Sequence, residues 1–118
     1  MNIESLRDYC LSKPHVSESL PFDNKTLVFK VAEKVFAITG LEDFPARVNL
    51  KCVPEEALEL REAFNEIVPG YHMNKRHWNT VYYSSLPDAM IQGLVDTSYK
   101  LVVSGFTKKK QKELGLYP

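Results

Sequence analysis

One short window of the sequence holds most of the side chains that could do chemistry. Residues 69–81 read Pro-Gly-Tyr-His-Met-Asn-Lys-Arg-His-Trp-Asn-Thr-Val, and they include two of the three histidines, two adjacent cations and the only tryptophan. Arginine and lysine supply donors for phosphate or carboxylate groups, and aromatic faces stack against bases. The candidate ligand-binding residues are therefore Tyr71, His72, Lys75, Arg76, His77 and Trp78.

The two histidines of this window are poor candidates for a metal site. His72 and His77 lie five residues apart without an H-E-x-x-H motif or a Cys/His cluster, whereas zinc uses at least three protein ligands. No G-x-S-x-G elbow, glycine-rich phosphate loop or histidine-activated cysteine supports nucleophilic catalysis. Glu18 and Asp23 flank an aromatic loop, but carboxylates so close in sequence are typical of caps and solvated loops. We predict a non-enzymatic protein with no catalytic residues, no metal and no cofactor.

A second cationic run near the C-terminus is a candidate secondary basic patch, formed by Lys108, Lys109, Lys110 and Lys112. It follows a predicted helix, where the helix dipole favours cations, so a purely structural role is the alternative. Charge is uneven along the chain: residues 1–70 carry eight Lys/Arg against twelve Asp/Glu, and residues 71–118 carry seven against three. This asymmetry permits an anionic partner for the C-terminal part without demanding one.

Length and composition predict a single soluble domain spanning residues 1–118. The chain is 44% hydrophobic and 25% charged, and a domain of this size buries roughly 65% of its extended surface. The N-terminus lacks a basic region followed by an apolar core, and charges interrupt every long apolar run, so we predict no secretion signal and no membrane span. Cys10 and Cys52 have no C-x-x-C spacing, which predicts buried, reduced thiols and favours the cytoplasm.

The N-terminal half reads as one helix followed by three strands. Helical spacing of apolar residues predicts a helix over about 2–13, ended by Pro14, and then a loop that closes at Pro21-Phe22-Asp23. The predicted strands cover 26–31, 35–39 and 46–52. The third alternates clearly, with one face formed by Ala46, Val48, Leu50 and Cys52 and the other by Arg47, Asn49 and Lys51.

The C-terminal half reads as a helix, a strand and two further helices. Pro54 begins the first, whose buried stripe is predicted to be Ala57, Leu60, Phe64 and Ile67, and Pro69-Gly70 ends it. A strand is predicted over 78–83, bending at Ser84-Ser85, followed by a helix from Pro87 to about 103. Thr107 is predicted to cap a final helix that ends at Leu114.

These elements predict an α+β fold in two layers, in the order α-β-β-β-α-β-α-α with an optional further strand after the fourth. The short links favour an antiparallel sheet, and helices must cover one face of it to bury both apolar surfaces. Trp78 is either a core residue or an exposed stacking platform. Both faces of its strand are half polar, so the alternation does not decide, although tryptophan on a strand more often lies in the core.

Several segments together resemble the MmcQ/YjbR family of small bacterial proteins, across essentially the whole chain. They are residues 69–81, Leu86-Pro87-Asp88, Leu94-Val95-Asp96-Thr97-Ser98-Tyr99, Pro21-Phe22 and Lys34-Val35-Phe36-Ala37, and the most specific part is the Asn-Lys-x-His-Trp block. The resemblance implies a "double wing" fold similar to frataxin-like and secretion-chaperone-like domains. It also implies DNA binding, the label that members commonly carry, and it transfers no catalytic residues.

Three hypotheses on function follow. The first is a cytoplasmic, non-enzymatic module that binds nucleic acid weakly and in a salt-sensitive way through Lys75, Arg76, His77 and Trp78. The alternative is a protein-interaction or chaperone-like adaptor that uses the open face of the sheet, and the third is a small-anion pocket or enzyme around His72 and His77. A contiguous exposed apolar patch would favour the adaptor, and a deep cleft holding both histidines would favour the third.

Overall fold

The structure is a computed structural model that describes residues 1–116. In chain order the elements are α1 (Ile3–Leu11), β1 (Val16–Ser19), β2 (Thr26–Val31), β3 (Lys34–Gly40), β4 (Val48–Lys51), α2 (Pro54–Ala63), β5 (Ile67–Pro69), β6 (Trp78–Val81), a short 3-10 helix (Tyr83–Ser85), α3 (Asp88–Ser104) and α4 (Lys108–Leu114). None of the helices in this part of the chain combines the length and apolar character that crossing a membrane requires.

The six strands form one antiparallel sheet in the order β1-β2-β3-β4-β6-β5. Helix α3 packs across β2, β3 and β4, while α1 contacts β1 and α2 contacts β5. The core between the layers includes Leu6 of α1, Phe29 and Leu50 of the sheet, and Ile91 and Val95 of α3. The predicted α+β fold with an antiparallel sheet is confirmed.

The helix starts follow the local sequence. Asn2 and Ser5 form a capping box at α1, and the hydroxyl of Thr107 accepts a hydrogen bond from the backbone N–H of Lys110 at 3.1 Å, as predicted for α4. The strand predicted over 78–83 ends at Val81, because the chain turns into the 3-10 helix at Tyr83.

The first difference from the predicted elements is β1, which occupies part of the segment predicted as a loop. Val16 is the only strongly apolar residue of this strand, so the sequence has no strand pattern there. Its pairing with β2, from Val16 opposite Val31 to Ser19 opposite Val28, supplies the stability that the local sequence does not.

The second difference is that α2 ends at Ala63 and not near Ile67. Phe64 already has an extended backbone (φ −133°, ψ 121°), and Ile67 lies in β5, opposite Val81 of β6. The 3.6-residue spacing of the apolar side chains favours a helix through this region. Pro69 opposes it, because a proline forces the residue before it into the extended region, and β6 offers a backbone partner.

Strand β3 contains a bulge at Phe36. Phe29 pairs with Ala37, but Lys30 pairs with Val35, which leaves Phe36 as an extra residue. Phe36 and Ala37 are consequently both fully buried in the core, and Val35 turns to the other face of the sheet.

The hydroxyl of Ser98 in α3 bridges the gap that this bulge leaves between β3 and β4. The regular pairing of these strands stops at Ala37 opposite Leu50. Beyond that pair, the backbone N–H of Lys51 donates to Ser98 Oγ at 2.9 Å, and Ser98 Oγ donates to the carbonyl of Phe36 at 2.5 Å. Ser98 is fully buried, so both backbone groups depend on its hydroxyl.

We predict that Ser98→Ala lowers the free energy of unfolding by about 1–3 kcal/mol, because it leaves a buried N–H and a buried carbonyl without partners. Urea denaturation measures the change. Ser104→Ala is the matched control, since Ser104 lies exposed on the same helix and donates only to Leu101 of its own turn; its effect should stay within about 0.5 kcal/mol. Equal, small effects of both substitutions would contradict a bridging role.

Candidate functional site

We call the face of the sheet opposite α3 the open face, although the flanking loops cover part of it, because Val28 and Thr80 on this face are buried. Side chains alternate between the two faces of a strand, so register and burial assign each residue to a face. Phe29, Ala37 and Leu50 belong to the core, and their strand neighbours point away from the helices, with the exception of Phe36 at the bulge. Across the middle of the open face runs a row of cross-strand neighbours: Val28, Ile38, Asn49, Thr80 and Val68.

A cavity of about 770 Å³ lies over this open face. Strand residues form its floor: Thr26, Val35, Ile38 and Asn49. Three loops form its walls: Phe22 and Lys25 come from the loop before β2, Glu42, Asp43 and Arg47 from the β3–β4 loop, and Tyr71, His72 and Met73 from the β5–β6 loop. The volume falls within the roughly 300–1,000 Å³ that is common for ligand sites.

Hydrogen bonds from the open face fix the backbone of Tyr71 in the cavity wall. The hydroxyl of Thr80 accepts from the N–H of Tyr71 at 3.0 Å and donates to Asn49 Oδ1 at 2.5 Å. The amide of Asn49 in turn donates to the carbonyl of Tyr71 at 3.3 Å. The next residue, His72, has a positive φ of 57°, which costs a non-glycine residue about 1–2 kcal/mol. Such strain is typical of functional loops.

Two ion pairs lie at the cavity walls. Arg47 Nε is 3.4 Å from Asp43 Oδ2, and the Arg47 guanidinium lies over the Tyr71 ring at 5.1 Å from its centroid. Lys25 Nζ is 3.3 Å from Glu42 Oε2, and both of these side chains are strongly exposed. The charges of these two cations and two carboxylates cancel at this end of the cavity.

Asp23 shapes the wall that carries Phe22 and Lys25. Its Oδ1 accepts hydrogen bonds from the backbone N–H groups of Lys25 at 2.8 Å and Thr26 at 2.7 Å. These two donors favour the ionised carboxylate and lower the pKa of Asp23. The carboxylate of Asp23 therefore organises a turn, which matches its interpretation as a loop residue.

Exposed apolar side chains surround the cavity. Large apolar residues that are substantially exposed within residues 1–116 are Leu20, Phe22, Leu41, Phe44, Leu58 and Tyr71. All of them except Leu58 belong to the three loops that form the walls. Phe44 is 95% exposed and Phe22 is 76% exposed, so each of the three wall loops presents at least one large apolar side chain to solvent.

The structure divides the candidate residues of the 69–81 window between two places. Tyr71 and His72 line the cavity on the open face. Lys75 and Arg76 line a second cavity, of about 450 Å³, beside Pro54, Glu55, Leu58 and Arg61 of α2. His77 and Trp78 are half-buried and line neither. Neither of these two cavities therefore holds both histidines. Within residues 1–116 no group of three metal-ligating side chains occurs.

Arg61 of α2, which the sequence did not single out, holds the end of the loop that carries Lys75. Its guanidinium donates to Asn79 Oδ1 at 2.7 Å, to the carbonyl of Trp78 at 3.3 Å and to the carbonyl of Lys75. The amide of Asn79 also donates to the carbonyl of Ala57 at 3.4 Å. The sequence gives no signal of this role. Arg61 stands between several glutamates of a predicted helix, and the groups that it binds lie on other elements.

Trp78 is not a core residue, although strand statistics favour that position. It pairs with Lys51, and its neighbour Asn79 faces the helices, so Trp78 lies half-buried on the open face. It packs beside Gly70, where a Cβ would come within 2.9 Å of the Trp78 Cβ. The polar Asn79 takes the inward position because Arg61 and Ala57 satisfy its side chain.

The lysine run of α4 lies at the other edge of the sheet. Gln111 of α4 is buried and donates to the carbonyl of Val103 at 3.0 Å, and His15 Nε2 lies 2.7 Å from the carbonyl of Leu114. His15 immediately precedes β1, and four strand spacings, about 19 Å, separate β1 from β6. The four lysines therefore do not form one cluster with Lys75 and Arg76.

Comparison with known proteins identifies the family of this fold. A sequence model of the YjbR family matches residues 11–101. The chain belongs to the YjbR family. Within it, the chain is 41% identical to YjbR of Escherichia coli (strain K12) over 116 residues, which cover 97% of this chain and 98% of that protein. It is 35% identical to YbdF of Escherichia coli O157:H7 over 113 residues, which cover 94% of this chain and 92% of that protein.

Two solved structures share the fold of this YjbR-family chain. A crystal structure of a Deinococcus radiodurans protein with a DUF419 domain has a TM-score of 0.92 and 43% identity, covering 98% of this chain and 89% of that one. A crystal structure of a Pseudomonas syringae protein has a TM-score of 0.75 and 29% identity, and the match covers 86% of this chain and 98% of that one. The two-layer arrangement that positions the cavity is therefore shared with these relatives.

We predict that Thr80→Val loosens the Tyr71 wall of the cavity, because it removes both hydrogen bonds of the Thr80 hydroxyl while keeping the side-chain shape. Hydrogen exchange followed by mass spectrometry should show the Tyr71 amide exchanging about tenfold faster. Thr97→Val is the control, since the Thr97 hydroxyl donates only to Gly93 of its own helix. An unchanged exchange rate at Tyr71 would show that the network does not hold this wall.

Proposed function

We propose that this YjbR-family protein is a non-enzymatic binding module that receives an apolar segment of a partner protein on the open sheet face. The observation that carries the proposal is a cavity of about 770 Å³ whose three wall loops all carry exposed apolar side chains. Contiguous apolar surface bordered by polar groups marks interaction sites, because leaving it in water costs free energy.

The extent of the apolar surface favours a protein segment over a small molecule. Leu20, Leu41 and Phe44 are exposed on the wall loops but do not line the cavity. A small molecule enclosed in the cavity leaves Phe44 in water, whereas a segment that continues past the mouth covers it. Aromatic side chains such as Phe22 and Tyr71 are typical anchors of protein interfaces.

The available side chains support binding without catalysis. Cys10 and Cys52 are buried free thiols. Burial raises the pKa of the Cys10 thiol to about 12 and also raises that of Cys52, so both stay protonated and weakly nucleophilic at neutral pH. Buried reduced thiols suit a reducing compartment, so the proposed module acts in the cytoplasm.

We predict that removing two aromatic walls of the cavity abolishes binding of an apolar peptide. The probe is a fluorescein-labelled peptide of about ten residues with a central Leu-Phe-Leu between Ser and Gly. Phe22→Ala combined with Tyr71→Ala should weaken its binding by at least about tenfold, because both aromatic contacts are lost. Fluorescence anisotropy gives the dissociation constants, and both side chains are exposed enough for the fold to tolerate the change.

Leu58→Ala is the control for this experiment. Leu58 is a large apolar residue, 59% exposed, that lies on α2 away from the open-face cavity. Its truncation should leave the affinity unchanged within about twofold. Equal losses for Leu58→Ala and the double substitution, or no binding to the natural sequence at about 0.5 mM protein, would overturn the proposal.

Nucleic acid is the second candidate ligand, and the free cations of the β5–β6 loop favour it. Lys75 and Arg76 are exposed, and neither forms an ion pair with another described residue. Trp78 follows them on the open face with part of its ring accessible. Such cations bind phosphates in a salt-dependent way, and aromatic rings stack on bases.

For this second candidate we predict a shallow salt dependence. With only Lys75 and Arg76 in contact, log K against log salt should fall with a slope of about −1.8 for duplex DNA. Lys75→Glu with Arg76→Glu should abolish binding in anisotropy titrations, while the melting temperature stays nearly unchanged. Lys108→Glu with Lys109→Glu makes the same charge change at the other sheet edge and should have little effect. Loss of binding in both variants would instead indicate a nonspecific charge effect.

A further inference from the structure

We propose that the partner segment is acidic on one side of its apolar anchor, and that Lys30 and Lys51 bind its carboxylates. This inference rests on the proposed function, since it concerns the same open face. It names the chemistry of the segment and the direction in which it lies across the sheet.

Lys30 lies on the open face directly beside the cavity. Its strand neighbours Phe29 and Val31 belong to the core, so Lys30 points to the other side. It pairs across the strands with Val35, which lines the cavity floor. Val35 occupies that position because of the bulge at Phe36.

Lys51 occupies the equivalent place on β4. It is two residues beyond Asn49 of the cavity floor and faces away from the buried Leu50. Strands β2 and β4 both run antiparallel to β3, so Lys30 and Lys51 lie at the same end of the sheet. Two strand spacings place them about 10 Å apart, and two residues along a strand place them about 7 Å beyond the central row.

Few carboxylates neutralise these two lysines. Glu18 is the single acidic residue in the six strands of residues 1–116, and it faces the helices, where Arg7 Nη2 lies 2.5 Å from its Oε1. The β2–β3 turn contributes Glu33 next to Lys34, which offset each other. Glu56 of α2 lines a small cavity together with Lys51, but neither Lys30 nor Lys51 forms an ion pair with any described residue. This end of the open face therefore carries net positive charge.

The opposite end of the cavity gives the proposed segment its direction. There, Glu42 and Asp43 already pair with Lys25 and Arg47, so both cations that line this end in residues 1–116 are paired, and added negative charge meets two carboxylates. A nucleic acid strand carries phosphates on both sides of any base it inserts. A peptide can place carboxylates on one side of its anchor only, and the charge distribution matches that arrangement.

The test compares three labelled peptides of about ten residues that share a central Leu-Phe-Leu and differ in four flanking residues on one side, which are Glu, Ser or Lys. At 50 mM salt the Glu peptide should bind about tenfold tighter than the Ser peptide, and the Lys peptide should bind weakest. The difference should shrink severalfold at 500 mM salt, because screening shortens the reach of exposed charges. A ten-nucleotide oligo(dT) serves as the fourth probe.

Charge substitutions then locate the effect. Lys30→Glu with Lys51→Glu should reverse the preference between the Glu and Lys peptides and leave the Ser peptide within about twofold. Lys30→Gln with Lys51→Gln, which perturbs the fold less, should erase the preference. Lys100→Glu with Lys112→Glu is the matched control at exposed helix positions, and it should keep the preference.

The outcomes distinguish failure of the acidic segment from failure of the proposed function. Equal affinity for the Glu and Ser peptides would overturn the acidic segment while leaving apolar docking intact. Binding of none of the peptides would overturn the proposed function itself. Binding of oligo(dT) alone, lost on substitution of Lys30 and Lys51, would assign this face to nucleic acid and overturn both.

Discussion

A single buried hydroxyl holds together the part of the sheet on which the site is built. Ser98 receives a hydrogen bond from the Lys51 N–H and donates one to the Phe36 carbonyl, at the point where the bulge interrupts the pairing of β3 with β4. The bulge places Phe36 in the core and Val35 on the open face. Without the hydroxyl, this change of face would leave two buried backbone groups unpaired, so the cavity floor depends on a contact made from the helix layer.

A second set of hydrogen bonds holds the walls of the cavity on the open face. Thr80 and Asn49 hold the backbone of Tyr71, while Arg61 of α2 fixes the following loop from the other side of the sheet. Because hydrogen bonds hold the backbone of these loops, their apolar side chains can stay exposed to water and do not collapse onto each other. Charge is also divided between the layers: α2 carries Glu55, Glu56, Glu59 and Glu62, whereas the strands carry lysines.

The sequence predicts the parts of this fold whose pattern is local. Alternation over 46–52 assigned Arg47, Asn49 and Lys51 to one face, and Arg47 and Asn49 line the open-face cavity. The bulge at Phe36 and the strands β1 and β5 depend on partners distant in sequence, so no local pattern reports them. The 69–81 window indicated a loop that borders two cavities but did not predict its geometry, because His72 and Lys75 are close in sequence and line different cavities. Register, and not residue type, decided that Trp78 lies outside the core.

In the function proposed above, the open face, and not the helix layer or the loop cations, receives the ligand. Intermolecular NOEs between the neutral Leu-Phe-Leu peptide and methyl-labelled protein test it most directly. We expect contacts from the peptide Phe ring to the methyl groups of Val35, Ile38 and Met73, which line the cavity. Contacts to exposed methyl groups of α2 such as those of Leu58, or binding without any contact to Ile38, would contradict the claim.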